Sequence, residues 1–393
     1  DTEEIHRFMD EQKVEHFFDC DKGICHEILA GQLKPGGLIV GNDSHTCTAG
    51  AFNCMAVGLN KTETAVLWKE GEMWFRVPET IKISLKNRLP EGVYAKDLAL
   101  WIMGMLREEN VAYKSLEFHG EGVPALSIAD RMTLANVTAE MGLKSAAFPP
   151  DDKLADYFGD YAVQGVWADR DAMYYKEFEV DLAQVIPLVM EVGEINEIKA
   201  PGEWGRLEIQ QGLIGACASG RLEDLRVVAR ILDGKKIASG FQLSIVPASR
   251  EIYLQAIQEG IIDRLVKSGA SILGSSCGPC LGSSHMIMAD TRRFITTVNS
   301  NSMRRLSAIG VEKYVASPAT VAMTALTGVL TVEVERTDAK YPYWEMPKVW
   351  VTVNEFERRY HNRVWNYGDL NSIACEQLFD EACTYRIAPD NFK

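Results

Sequence analysis

"LGSSCGPCLGSSH", residues 273–285, places two thiols, Cys277 and Cys280, three apart in a run of small residues without a lysine, arginine or carboxylate. The preceding "ASI" has strand character, so the thiols sit on a turn that leaves a strand. "QQGLIGACASGRLEDLRVVARIL" (210–232) repeats the arrangement: a strand, a Gly/Ser/Ala turn carrying Cys217, then an amphipathic helix. "GLIVG" (37–41) reads as a buried strand followed by a turn and a helix over "NDSHTCTAGAFNCMAVG", and "TIKISL" (80–85) alternates ahead of the helical "AKDLALWIMGMLREE" (95–109). Strands that alternate with helices predict an α/β fold, in which ligands bind beyond the C-terminal ends of the strands. Both cysteine turns fall at such ends.

The 393 residues are 47% hydrophobic, enough for a large core divided among two or three domains. A formal charge of -14 opposes non-specific binding to nucleic acid or to an anionic membrane surface. No apolar run reaches the roughly 18 residues that span a bilayer, and the opening "DTEEIHRFMDEQK" lacks the core of a signal peptide. Nine scattered cysteines do not resemble the disulfide framework of a small secreted domain, so the expected setting is reducing and intracellular, with cytoplasm and mitochondrial matrix not distinguished.

A CxxC pair serves structural zinc, a redox couple or part of an iron–sulfur ligand set. Zinc asks for a second CxxC or a short-spaced histidine pair, and none is present. A thioredoxin-like pair opens a helix early in its domain, whereas Cys277 and Cys280 come late and bracket Gly278 and Pro279. Three thiols on two turns suit a [4Fe–4S] cluster with one iron left open to a substrate, and three unrelated core cysteines stand as the other reading.

"VGNDSHTCTAGAF", "GACASGRLEDL", "GSSCGPCLG" and "KYVASPATVAMTALTG" together resemble the aconitase family, nearest to the large subunits of 3-isopropylmalate dehydratase and to homoaconitase, over about residues 1–330. The resemblance implies three α/β domains around a [4Fe–4S] cluster held by Cys217, Cys277 and Cys280, with a fourth, swivelling domain. It divides the chain into 1–78, 79–176 and 177–335, the last carrying the cysteines, then a linker over 336–363 and a start or remnant of the swivelling domain over 364–393. It implies that His26, Asp43, Ser44, His45 and Glu140 are catalytic, and that Asn136, Asn299 and Arg305 bind substrate. A histidine steered by a carboxylate suits delivery of a proton to a leaving hydroxyl. "ANVTAEMG" puts Asn136 and Glu140 four apart on one helical face.

The implied activity is removal of water from a hydroxy di- or tricarboxylic acid such as isopropylmalate or homocitrate, in amino-acid biosynthesis. The alternative is a degenerate relative that binds a metabolite or RNA. "NSNSMRR" (299–305) keeps Asn299 and Arg305 but has Ser300 where the family carries an arginine for a substrate carboxylate, with Arg304 at a nearby position. "GACASGR" replaces hydroxyl and amide side chains around the cluster with Ala216, Ala218 and Ser219. The swivelling domain, with its serine base, is expected either from a separate small subunit or from further residues of a longer chain.

Overall fold

The run Thr80–Lys86 forms a strand in which Ile81, Ile83 and Leu85 are fully buried and the residues between them reach the other face. Burying each of those three side chains contributes roughly 1.5–3 kcal/mol. This strand lies inside a four-stranded parallel sheet, in the order Ser145–Ala147, Ser115–His119, Thr80–Lys86, Lys176–Asp181. The connection from Thr80–Lys86 to Ser115–His119 carries the helix Ala95–Met105, and the next crossover carries Ile128–Val137. Ser127 caps the second of these helices, accepting from the Asp130 N–H while the Asp130 carboxylate accepts from the Ser127 N–H. The computed structural model describes residues 2–159, 165–193, 196–281, 292–299, 311–332 and 384–386.

A larger sheet has seven strands in the order Ser271–Ile272, Gln242–Val246, Gln211–Gly215, Arg293–Thr296, Glu312–Ala316, Val189–Glu191, Glu197–Lys199. The first five run parallel and the last two pair antiparallel at one edge. Helices Leu222–Leu232 and Pro318–Thr327 pack together against it, around Leu225, Val228, Val321 and Ala325. A second apolar cluster starts between the four-stranded sheet and the segment Ser44–Phe52 and continues to Ala216, Val246 and Cys280, above the seven-stranded sheet. The fold is therefore α/β with parallel sheets, as expected, and the described strands include those read from "GLIVG", "TIKISL", "QQGLIG" and "ASI".

The segment after "GLIVG" departs from expectation. Instead of one helix, Ser44–Phe52 forms 3₁₀ turns and the chain then enters the strand Met55–Gly58, which pairs in parallel with Leu38–Gly41. Every residue from His45 to Phe52 is buried, and the backbone at Gly50 runs so close to its neighbour that a Cβ there would lie 1.8 Å from the Ala146 carbonyl oxygen. Close approach on all sides leaves no solvent face for an amphipathic helix.

Candidate active site

Asp43 stands just before Ser44–Phe52 in extended conformation, and its Oδ1 accepts from the His45 N–H at 2.8 Å, the bond of a helix cap. The same oxygen lies 3.0 Å from His26 Nε2. A carboxylate can only accept, so Nε2 carries the hydrogen and the imidazole of His26 is fixed in one orientation. Burial would lower the affinity of His26 for its proton, but the bond to Asp43 and the nearby Cys25 thiol hold it well above the usual imidazole range. Burial would raise Asp43, yet the bonds from His26 and His45 keep it well below the usual carboxylate range. Its side chain is 43% exposed, so solvent screens part of that attraction.

The second imidazole makes a second carboxylate pair. His45 Nε2 is 3.0 Å from Glu140 Oε1 and 2.9 Å from Asn299 Nδ2, while Nδ1 is 3.2 Å from Ser44 Oγ. His45 and the Glu140 side chain are buried, and although burial opposes a charge on His45, the contacts with Asp43 and Glu140 make His45 hold its proton well above the usual imidazole range. Asn299 Nδ2 also donates to Asn136 Oδ1 at 2.7 Å, and Asn136 Nδ2 donates to Thr48 Oγ1 at 2.9 Å. Asn136 and Glu140 do not share a regular helix: Ile128–Val137 gives way to a 3₁₀ turn over Thr138–Met141, closed by Gly142 in left-handed conformation. The change of helix type still delivers both side chains to His45 and Asn299.

The thiols face these pairs. Cys217 opens from strand Gln211–Gly215, and Cys277 and Cys280 follow strand Ser271–Ile272 at the same end of the same sheet. Gly215 allows the Cys217 turn, with φ +123 and no room for a Cβ, which would stand 2.0 Å from the Val246 carbonyl oxygen. A negative charge on Cys217 would raise His26, His45, Cys277 and Cys280 alike, which places the five groups in one electrostatic field. Burial first, and then Cys217, push the Cys277 thiol up to about 12, and Cys280 rises for the same two reasons.

Cys277 and Cys280, whose ionisation burial and the neighbouring Cys217 oppose, are thiols that a bound cationic group would favour as thiolates. Among the described residues no three His, Cys, Asp or Glu side chains converge to hold one metal ion.

Lys96, Arg221, Thr133, Glu27 and Thr48, which the sequence reading did not single out, complete the site. Lys96, only 2% exposed, donates to Asn299 Oδ1 at 3.0 Å. Arg221, also buried, donates to the Cys217 carbonyl at 2.9 Å and to Thr133 Oγ1 at 3.2 Å, and pairs with Glu27, which neighbours His26. Thr48 Oγ1 donates to the His45 carbonyl at 2.7 Å. Arg221 and Thr48 stood inside quoted motifs, and "AKDLALW" put a charged pair at the head of an apolar helix, which was the available signal for Lys96. Ser300, Arg304 and Arg305 lie outside the described residues, as do the expected linker 336–363 and all of 364–393 except 384–386. Among the described residues no helix is long and apolar enough to cross a membrane.

A family model described as "Aconitase family (aconitate hydratase)" matches residues 2–194 and 190–328. The chain is 40% identical to 3-isopropylmalate dehydratase large subunit 1 of Methanopyrus kandleri, over 83% of this chain and 79% of that one. It is 40% identical to a protein of Methanosarcina mazei named as a methanogen homoaconitase large subunit, over 84% of each chain. It is also 40% identical to the 3-isopropylmalate dehydratase large subunit of Clostridium beijerinckii, over 83% of this chain and 80% of that one. In solved structures, the holo-form of aconitase X from Thermococcus kodakaraensis overlaps it with TM-score 0.45 and 12% identity, over 79% of this chain and 73% of that one.

Proposed function

Because the chain belongs to the aconitase family, we propose that it is the large, cluster-bearing subunit of a hydro-lyase that removes water from a hydroxy di- or tricarboxylic acid, isopropylmalate or homocitrate being the leading candidates. The observation that carries this reading is the meeting of two imidazole–carboxylate pairs, His26 with Asp43 and His45 with Glu140, in the field of Cys217. The relatives are named as enzymes, which favours catalysis over a degenerate binding role.

Cys217, Cys277 and Cys280 would hold a [4Fe–4S] cluster. Bound there, it supplies Lewis-acid chemistry from the iron that no cysteine ligates. The chain's own residues manage the protons. His26, oriented by Asp43, holds a proton on Nε2, and the His45–Glu140 pair holds another, so the site keeps two acids out of bulk water beside the thiol turns. Departure of a hydroxyl needs one such proton, and Asn136 and Asn299 supply amide groups to orient the substrate's oxygens. Arg305 would bind a substrate carboxylate through its guanidinium. Ser44, hydrogen-bonded to His45, sits at the exposed rim and belongs to the same set. We read the divisions 1–78, 79–176 and 177–335 as three α/β units around this site. "Large subunit" in the relatives' names points to a small-subunit partner, which would supply the proton-abstracting base.

The test is iron and acid-labile sulfide per chain after anaerobic purification, followed by dehydration assays with 2-isopropylmalate, homocitrate, citrate and citramalate in the presence of a candidate small subunit. About four irons per chain are expected, together with turnover of one of these acids and loss of both in Cys277→Ala. Turnover retained in Cys277→Ala would refute the reading.

A further inference from the structure

Two loops leave the C-terminal ends of neighbouring parallel strands, one after Thr80–Lys86 and one after Ser115–His119, and residues of both line a crevice of about 420 Å³. That position and that size suit a small-molecule site. Its apolar lining includes Val93 and Leu126, both buried, and Leu89, partly so. Arg88 and Lys153 add two exposed cations, and neither side chain has a salt bridge or hydrogen bond among the described residues. Asp130 supplies the opposite charge. Its Oδ2 accepts from the N–H and from the hydroxyl of Ser127, both at 2.9 Å, whereas Oδ1 has no hydrogen bond among the described residues. Burial raises Asp130 above the usual carboxylate range despite the bonds from Ser127, with Glu223 adding to the rise and Arg221 opposing it. A cation brought to Oδ1 would offset that cost. The charged groups are held in place by their neighbours. Arg131, next to Asp130, donates to both carboxylate oxygens of Asp151, which joins the first turn of helix Ile128–Val137 to the start of Asp152–Phe158, where Lys153 stands.

Two cations without partners, one free carboxylate oxygen and an apolar surface match a zwitterion with an aliphatic chain. We propose that this crevice is a binding site for a free aliphatic α-amino acid, whose carboxylate meets Arg88 and Lys153, whose ammonium meets Asp130 Oδ1 and whose side chain lies on Leu89, Val93 and Leu126. A bare anion such as phosphate would satisfy the cations but bring a like charge beside Asp130, and a bare amine would do the reverse. A hydroxy acid, the substrate class of the hydro-lyase reading, lacks the ammonium. The crevice is also separate from the thiol site. Asp130 stands in the first turn of helix Ile128–Val137 and Asn136 near its other end, about 9 Å further along the axis. Asn136 and Lys96, neither of which lines the crevice, are the residues that reach Asn299. Occupancy of the crevice therefore does not compete with a substrate at the thiol turns, and the inference holds whether or not the chain dehydrates a hydroxy acid.

The test is isothermal titration calorimetry on the anaerobically purified full chain. The probes are L-leucine, 4-methylpentanoate, which lacks the ammonium, 3-methylbutylamine, which lacks the carboxylate, and inorganic phosphate. L-Leucine should bind with a Kd below about 1 mM, at least roughly tenfold more tightly than the other three. Saturating 2-isopropylmalate should leave that Kd unchanged. Arg88→Met/Lys153→Met should weaken L-leucine by at least about tenfold, and because both side chains are exposed the double variant should melt as the wild type does. Asp130→Asn, whose amide oxygen can still accept from Ser127, should weaken L-leucine and leave 4-methylpentanoate unchanged. The proposal is overturned by no binding of L-leucine up to about 10 mM, by equal affinity for L-leucine and 4-methylpentanoate, or by tighter binding of phosphate than of L-leucine. Displacement of L-leucine by 2-isopropylmalate, or an unchanged Kd in the double variant, would place the amino acid elsewhere and overturn it equally. A chain that binds L-leucine but dehydrates none of the hydroxy acids overturns the functional reading alone.

Discussion

Arg221 Nε lies 2.8 Å from Glu27 Oε1, and both side chains are less than one-tenth exposed. Arg221 also holds the Cys217 carbonyl, so the pair ties the thiol turn to the helix that carries His26. Removing one partner leaves the other charge buried and alone, which costs about 3–5 kcal/mol. Arg221→Leu should therefore lower the unfolding free energy by that amount, read as a lower urea midpoint at an unchanged slope. The double variant Arg221→Leu/Glu27→Leu should be more stable than Arg221→Leu. Equal stability of wild type and Arg221→Leu would mean that the pair holds nothing together.

Asp43 caps a helix and orients an imidazole through one oxygen, but asparagine serves the first task and not the second. Asp43→Asn should change stability by less than about 1 kcal/mol, while lowering kcat by about 10²-fold or more. His26 loses its anionic partner in the variant, so its protonation midpoint should fall, visible in an NMR titration.

Asp97 is fully buried, accepts from the N–H groups of Tyr94 and Leu188, and is pushed by burial up to about 7. The folded value lies above the unfolded one near 3.8, so between the two the folded state binds the extra proton. The stability this confers is complete below the unfolded value and is lost as pH rises through about 7. The loss should reach a few kcal/mol. Asp224 has the same sign, also pushed by burial to about 7. Thermal melts from pH 4 to 8 should therefore decline less steeply in Asp97→Asn than in wild type; parallel curves would argue that Asp97 stays ionised throughout.

Gly215→Ala would place a methyl 2.0 Å from the Val246 carbonyl oxygen at a φ of +123. A loss of more than about 2 kcal/mol is expected, with weakened iron retention because the Cys217 turn must move. Chemical denaturation and iron analysis of the purified variant measure the two effects separately.

Period-two alternation identified Thr80–Lys86, and glycine-rich breaks after apolar runs located both cysteine turns, because those signals are local. The conformation of Ser44–Phe52 was not legible: a row of Thr, Ala, Gly and Cys carries no period, and contacts with residues around Ala146 decide its shape. His26, Asp43 and Glu140 were reached through the family resemblance, since each alone reads as a surface residue. Lys96 escaped altogether, because a lysine in the first turn of a helix is ordinarily solvated, and its burial follows from packing against residues distant in the chain.

The two thiol turns hang from strands of unequal standing. Gln211–Gly215 is paired on both sides, whereas Ser271–Ile272 contributes two residues at the sheet's edge and is paired on one. Detaching the edge strand breaks few ladder bonds, and detaching the inner one breaks two ladders at once, so local opening should be far easier on the Cys277 side. In hydrogen-exchange terms, amides around residue 272 should trade their protons well before those around 213. If the two turns hold the proposed cluster, one is a fixed jaw and the other a yielding one, and the cluster would enter and leave past the edge strand.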